Sequence, residues 1–90
     1  MEFVWDSTKS RRNEARHEIA FAEAATVFGD PLAITFPDPD HSDWEPRWLT
    51  FGLTGSGRLI VVVHTEQAGR TRLISAREAT RHERKIYEEG

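Results

Sequence analysis

The stretch "HTEQAGRTRLISAR" (64–77) places an imidazole (His64), a carboxylate (Glu66) and three guanidinium groups (Arg70, Arg72, Arg77) in one short run. Imidazole and carboxylate carry protons at near-neutral pH, and guanidinium binds phosphate or carboxylate through paired donors. Such a set suits cleavage of an RNA strand by its own 2′-hydroxyl. That reaction needs a proton removed from the 2′-oxygen, charge stabilised on the phosphorane, and a proton given to the leaving 5′-oxygen. The plain alternative is a surface hairpin laced by a Glu66–Arg70 salt bridge, which contributes little.

Two apolar runs, "RLIVVVHT" (58–65) and "RTRLISA" (70–76), flank the loop and read as paired strands. A three-residue loop, Gln67-Ala68-Gly69, with Gly69 at positive φ, sets Glu66 opposite Arg70 and His64 opposite Arg72. In that register Arg58, His64, Glu66, Arg70 and Arg72 share one face, and Arg77 emerges at the strand end. A four-residue loop is the rival register, and a one-residue slip would scatter the group across both faces.

The rest of the chain must supply the support. "FVWD" (3–6) reads as a short strand, and Asp6 or Ser7 caps a mostly polar helix with Ala15 and Ile19 as a thin apolar stripe. Phe21, Ala24, Ala25 and Phe28 recur at helical spacing until Gly29 and Pro31 stop the element. "PLAITF" (31–36) and "RWLTFGL" (47–53) read as strands on either side of a turn-rich acidic loop (37–46), and "TGSG" (54–57) makes the next turn. "REATRHERKIYEE" closes the chain as a charged helix. The expectation is a single α+β domain over residues 1–90: two N-terminal helices, an antiparallel meander and a C-terminal helix.

Composition narrows the chemistry. With no cysteine, disulfides, thiolate zinc sites and cysteine nucleophiles are excluded. His17, His41 and His82 lack metal-ligand spacing, so no metal or other cofactor is expected. "GLTGSG" (52–57) joins two strands and is not a phosphate-binding loop, and "DPDHSD" lacks the acidic spacing of a calcium loop. Trp5, Trp44 and Trp48 could stack bases, although packing is their commoner use. The net charge of −3 argues against a general nucleic-acid binder, but ten of the twelve basic residues are Arg, which favours local bidentate contacts. No signal peptide or membrane span is apparent, so a cytoplasmic location is expected.

The residues also carry a family resemblance. "WDSTKSRRNEARHEIAFAEAATVF" resembles the opening of BrnT-type toxins through Trp5, Asp6, Lys9, Asn13, Arg16, His17, Phe21, Glu23 and Ala24. The later segment is similar through Ile74, Ser75, Ala76, Arg77, Ala79 and Glu83, and through the ending Glu83, Arg84, Tyr87 and Glu88. The resemblance implies a RelE-like fold and an endoribonuclease toxin of a type II toxin–antitoxin module. It also implies a BrnA-type ribbon-helix-helix antitoxin as partner, and a hetero-oligomer that reaches operator DNA through that antitoxin. His64, Glu66, Arg72 and Arg77 are then the expected catalytic set, and Lys9, Arg58 and Arg70 the RNA-binding set. Glu18 stands where the family has Gly after the His, so the link between the first two helices is expected to differ. The alternatives are a non-catalytic, antitoxin-bound co-repressor and a small module binding an acidic peptide.

Overall fold

The β-branched run Leu59–Gln67 forms the central strand β4 of a sheet covered on both sides, as its nearly continuous apolar sequence requires. The computed structural model describes residues 1–41 and 44–90. Its elements are β1 (Phe3–Val4), α1 (Ser7–His17), α2 (Phe21–Ala24), β2 (Ile34–Pro37), β3 (Trp48–Leu53), β4 (Leu59–Gln67), β5 (Arg70–Glu78) and α3 (Arg81–Glu89). Short 3-10 turns span Ala25–Gly29 and Pro39–His41. Part of the expected acidic loop, Ser42 and Asp43, lies outside the described residues.

The strand order is β1-β5-β4-β3-β2. Strands β2 to β5 form the expected antiparallel meander, and β1 adds a parallel edge that pairs Phe3 with Thr71 and Val4 with Arg72. The protein is therefore α+β with a mixed sheet. Because β1 is only two residues long, it covers only the first part of the β5 edge. The next part is sealed by a side chain: Asn13 Oδ1 accepts from the Ala76 amide at 3.0 Å, while Asn13 Nδ2 donates to the Ile19 carbonyl at 2.8 Å.

Asn13, not Ala15, is the buried residue of α1. The apolar stripe expected at Ala15 and Ile19 is corrected, since Ala15 is exposed and Ile19 is buried beyond the helix end. Asp6 is the N-cap, accepting from the Thr8 and Lys9 amides at 2.8 and 3.1 Å, and these bonds hold its carboxyl below the usual range. At the other end Glu18 takes the left-handed conformation, φ 59, and its amide returns to the Glu14 carbonyl at 2.8 Å. The cap geometry a glycine would favour is thus kept by a glutamate at some conformational cost.

One face of the sheet packs under α1, α2 and the following 3-10 turn, with Ile19, Phe21, Ala24, Val27, Ile60, Val62, Leu73 and Ala76 as its core. The opposite face is covered by α3 and by segment 44–47. Arg77 reaches Glu83 of α3, Arg72 reaches Glu45, and the Thr65 hydroxyl donates to the Pro46 carbonyl. The second helix is shorter than its spacing suggested, because the chain tightens to 3-10 from Ala25 onward.

The hairpin register differs from the expected one. Gln67 faces Arg70 across a two-residue turn in which Ala68 (φ 53) and Gly69 (φ 78) are both left-handed. Two consecutive positive φ angles give the turn whose twist matches the flanking strands. Glu66 then faces Thr71, Thr65 faces Arg72 and His64 faces Leu73. Beyond them a bulge shifts the pairing so that Val63 faces Ser75, Val62 faces Ala76 and Val61 faces Arg77.

Candidate functional site

Directly opposed residues of an antiparallel pair share a face, so this register decides which side chains can meet. Arg58, His64 and Glu66 lie on the side of the sheet under α1 and α2, whereas Arg70, Arg72 and Arg77 lie on the other side. The single-face grouping of Arg58, His64, Glu66, Arg70 and Arg72 is therefore corrected. The physical reason is the shorter turn, which moves β5 by one residue against β4. The bulge contributes too: the extra residue in β5 brings Arg77 back to the side that Arg72 occupies.

His64 is 6% exposed and lies edge-on to Phe28, with ring centres 4.9 Å apart. Its Nε2 is 2.7 Å from the Thr50 hydroxyl, which is 2.8 Å from the Thr35 hydroxyl. Its Nδ1 is buried without a partner, and burial lowers its pKa, opposed in part by the charge of Glu66. Glu66, at the exposed hairpin end, accepts from the Thr71 hydroxyl at 3.1 Å. Arg70 is exposed, 3.8 Å from Glu2.

Arg58 is drawn into a brace. It donates to the Glu18 carbonyl at 2.6 Å and to Glu78 at 2.7 Å, and lies 3.5 Å from Glu23; the Glu78 hydrogen bond is the main cause of its raised pKa. Arg72 donates through Nη2 to both oxygens of Glu45, at 3.0 and 2.9 Å, and its Nε is buried without a partner. Arg77 makes two parallel bonds to Glu83, 2.7 and 2.8 Å, and a third to the Glu78 carbonyl at 3.3 Å. Glu83 also closes a capping box with Thr80. These contacts, the Arg77 bonds first, push the Glu83 pKa down to about 2.

Three adjoining depressions surround the second half of β5. The first, about 330 Å³, is lined by Asp38, Arg47, Leu49, Val63, Ile74, Ser75 and Arg77. The second is lined by Arg16, His17, Glu18, Arg77, Glu78 and Thr80. The third is lined by Lys9, Arg12, Asn13, Arg16, His17, Ile74 and Ser75. Each pair shares lining residues: Arg77, Arg16 with His17, or Ile74 with Ser75. They form one continuous surface bearing Lys9, Arg12, Arg16, Arg47 and Arg77.

Of the residues expected from sequence, only Arg77 and Lys9 meet on this surface. Arg12, Arg16, His17, Arg47 and Ser75 were missed. For the helix residues a signal existed: Lys9, Arg12, Asn13, Arg16 and His17 recur three and four apart, on one side of α1. Among the described residues no three histidine, aspartate or glutamate side chains gather as a metal site. No helix among them is long and apolar enough to cross a membrane.

A cationic helix docked beside an arginine-bearing strand gives this small α+β protein a surface with the chemistry to hold a polyanion. Comparison with known proteins defines it further. Residues 5–83 match the family of the ribonuclease toxin, BrnT, of type II toxin–antitoxin systems, and the chain belongs to that family. It is similar to the crystal structure of the Brucella abortus ribonuclease toxin, BrnT, with 25% identity and a TM-score of 0.70, over 90% of this chain and 99% of that one. No curated protein sequence matches the chain. Membership in a type II family implies a protein antitoxin as partner.

Proposed function

We propose that the protein cleaves RNA on the surface shared by α1 and β5, by metal-independent attack of a 2′-hydroxyl on its neighbouring phosphate. The observation that carries this reading is the continuity of the three depressions through Arg77, Arg16 with His17, and Ile74 with Ser75. An extended strand needs a track of cations more than an enclosed pocket. Lys9, Arg12 and Arg16 hold backbone phosphates, and Arg77 faces the phosphate that reacts.

Arg77 suits that role because Glu83 holds its guanidinium in a fixed orientation. Donors fixed before charge develops lower the barrier more than donors that must reorganise. Of the remaining expected residues, Arg58 and Arg72 act as braces, His64 packs the interior, and Glu66 and Arg70 stand apart at the hairpin end. The products are a 2′,3′-cyclic phosphate and a 5′-hydroxyl.

The partner in this reading is a BrnA-type ribbon-helix-helix antitoxin. It neutralises the toxin and carries the complex to operator DNA. The setting is the cytoplasm, where both RNA and antitoxin are made.

The test is cleavage of a short RNA by the purified chain with excess chelator present. The wild type cleaves, and Arg77→Ala loses about 10²–10³-fold in rate, the usual effect of removing one transition-state donor. Cleavage that stops with chelator and returns with added metal would end the metal-independent reading. One observation favours a rival: Arg72 and Arg77 already face carboxylates, as in a surface built only to be braced. A non-catalytic co-repressor would accumulate harmlessly when expressed without its antitoxin, whereas a toxin arrests growth.

A further inference from the structure

We infer that His17 is the catalytic base that takes the proton from the attacking 2′-hydroxyl, an inference that rests on the ribonuclease reading above. His17 lines both depressions beside the β5 edge, one shared with Arg77 and the other with Ser75. It is the last residue of α1, and the chain is fixed on either side of it. One turn earlier, Asn13 is bonded to Ala76 and Ile19. One residue later, Glu18 is locked in the left-handed cap, and its carbonyl accepts from Arg58 at 2.6 Å.

Lys9, Asn13 and His17 are spaced four apart, so they form one stripe along the helix. The buried contact made by Asn13 fixes which way that stripe faces. His17 is thereby set against the β5 edge, one turn beyond Asn13, as Lys9 is one turn before it. A proton carrier held by neighbours that cannot shift is what a displacement at phosphorus requires. His64 cannot take this part from its place beneath Phe28. The Glu78 carboxylate is occupied by Arg58.

The charged groups around His17 are Lys9, Arg12 and Arg16 on its own helix, Glu18 at the helix end, and Arg77 and Glu78 on β5. In the step proposed, neutral imidazole accepts the 2′-hydroxyl proton as the 2′-oxygen bonds to phosphorus. The bond from phosphorus to the 5′-oxygen breaks, and that oxygen takes a proton from water. The imidazolium returns its proton to solvent after the products leave.

The experiment measures cleavage of a short RNA from pH 5 to 9 by wild type, His17→Ala, His17→Gln and the control His82→Ala. Folding of each is checked by circular dichroism. His17→Ala and His17→Gln should lose about 10²–10⁴-fold in rate constant, the span of general base catalysis, with RNA affinity changed only a few-fold. The acidic limb of the rate profile should vanish in both, and free imidazole should restore cleavage to His17→Ala. His82→Ala should behave as wild type. A folded His17→Gln that cleaves at the wild-type rate, or keeps the acidic limb, overturns the assignment. A wild type that leaves RNA intact overturns the ribonuclease reading along with it, so the two failures are distinguishable.

Discussion

Arg77 and Glu83 meet through two parallel hydrogen bonds, 2.7 and 2.8 Å long, joining the last part of β5 to the first turn of α3. The same carboxylate accepts from the Thr80 amide at 2.9 Å, so one side chain both starts the helix and holds the arginine. Glu83 titrates at about 2 in the fold, against an ordinary 4.5. A depressed carboxyl contributes stability that is complete above its unfolded value and lost as pH falls toward its folded one. Wild type should therefore lose part of its stability between about pH 4.5 and 2. Glu83→Gln should lack that dependence and be less stable at pH 7 by ~1–2 kcal/mol, allowing for solvent screening at the partly exposed Arg77. Urea melts at several pH values measure both.

His64 gives a second pH signature. Its pKa is lowered by burial, so the unfolded chain binds a proton first as pH falls below the ordinary 6.5. Stability should drop as pH is lowered from 6.5 toward the folded value. His64→Leu should remove this slope and leave Thr50 with Thr35 as its remaining hydroxyl partner. RNA cleavage should persist in a folded His64→Leu; a loss above about 10²-fold would restore His64 to the chemistry.

Two backbone positions are occupied against preference. Glu18 and Ala68 hold φ angles of 59 and 53, where a side chain costs about 1–2 kcal/mol. Glu18→Gly and Ala68→Asn should each raise stability by about 0.5–1 kcal/mol, the relief being partly offset in the first case by the freer unfolded chain. Thermal melts of the single variants test this. A lower midpoint for both would mean the side chains contribute more than the backbone loses.

Gly52 lies where β3 packs tightly against the 3-10 turn above it. A Cβ built there would lie 2.8 Å from Val27 Cγ1 and 3.2 Å from Ala33 Cβ. Valine is stiff about χ1 and both neighbours are packed, so the backbone must yield. Gly52→Ala should cost about 1–3 kcal/mol, read as a lowered urea midpoint with little change in slope.

The sequence announced the central strands plainly, because β-branched residues crowd 59–65 and nothing else competes for them. It narrowed the α1 cap to Asp6 or Ser7, since both side chains can accept from the first helical amides, and the structure uses Asp6. The hairpin register was hidden, since Gly69 signals positive φ and Ala68 does not. The bulge was hidden as well: Ile74 looks like any other strand residue, and only tertiary packing selects it as the extra one. Those two unseen features redistributed the expected cluster. The cationic stripe of α1 was legible in its spacing, but its orientation depended on Asn13, a polar side chain buried where an apolar one was sought. Strand β1 left only two residues of signal for a pairing 68 positions away along the chain.

That pairing governs the order in which the molecule can come together. Phe3 waits for Thr71 and Asn13 for Ala76, so the proposed cutting surface draws on segments far apart along the chain. A chain still emerging from the ribosome has its cationic helix but not the strand against which that helix docks. The proposed activity is thereby withheld until β5 has been made and has met the helix.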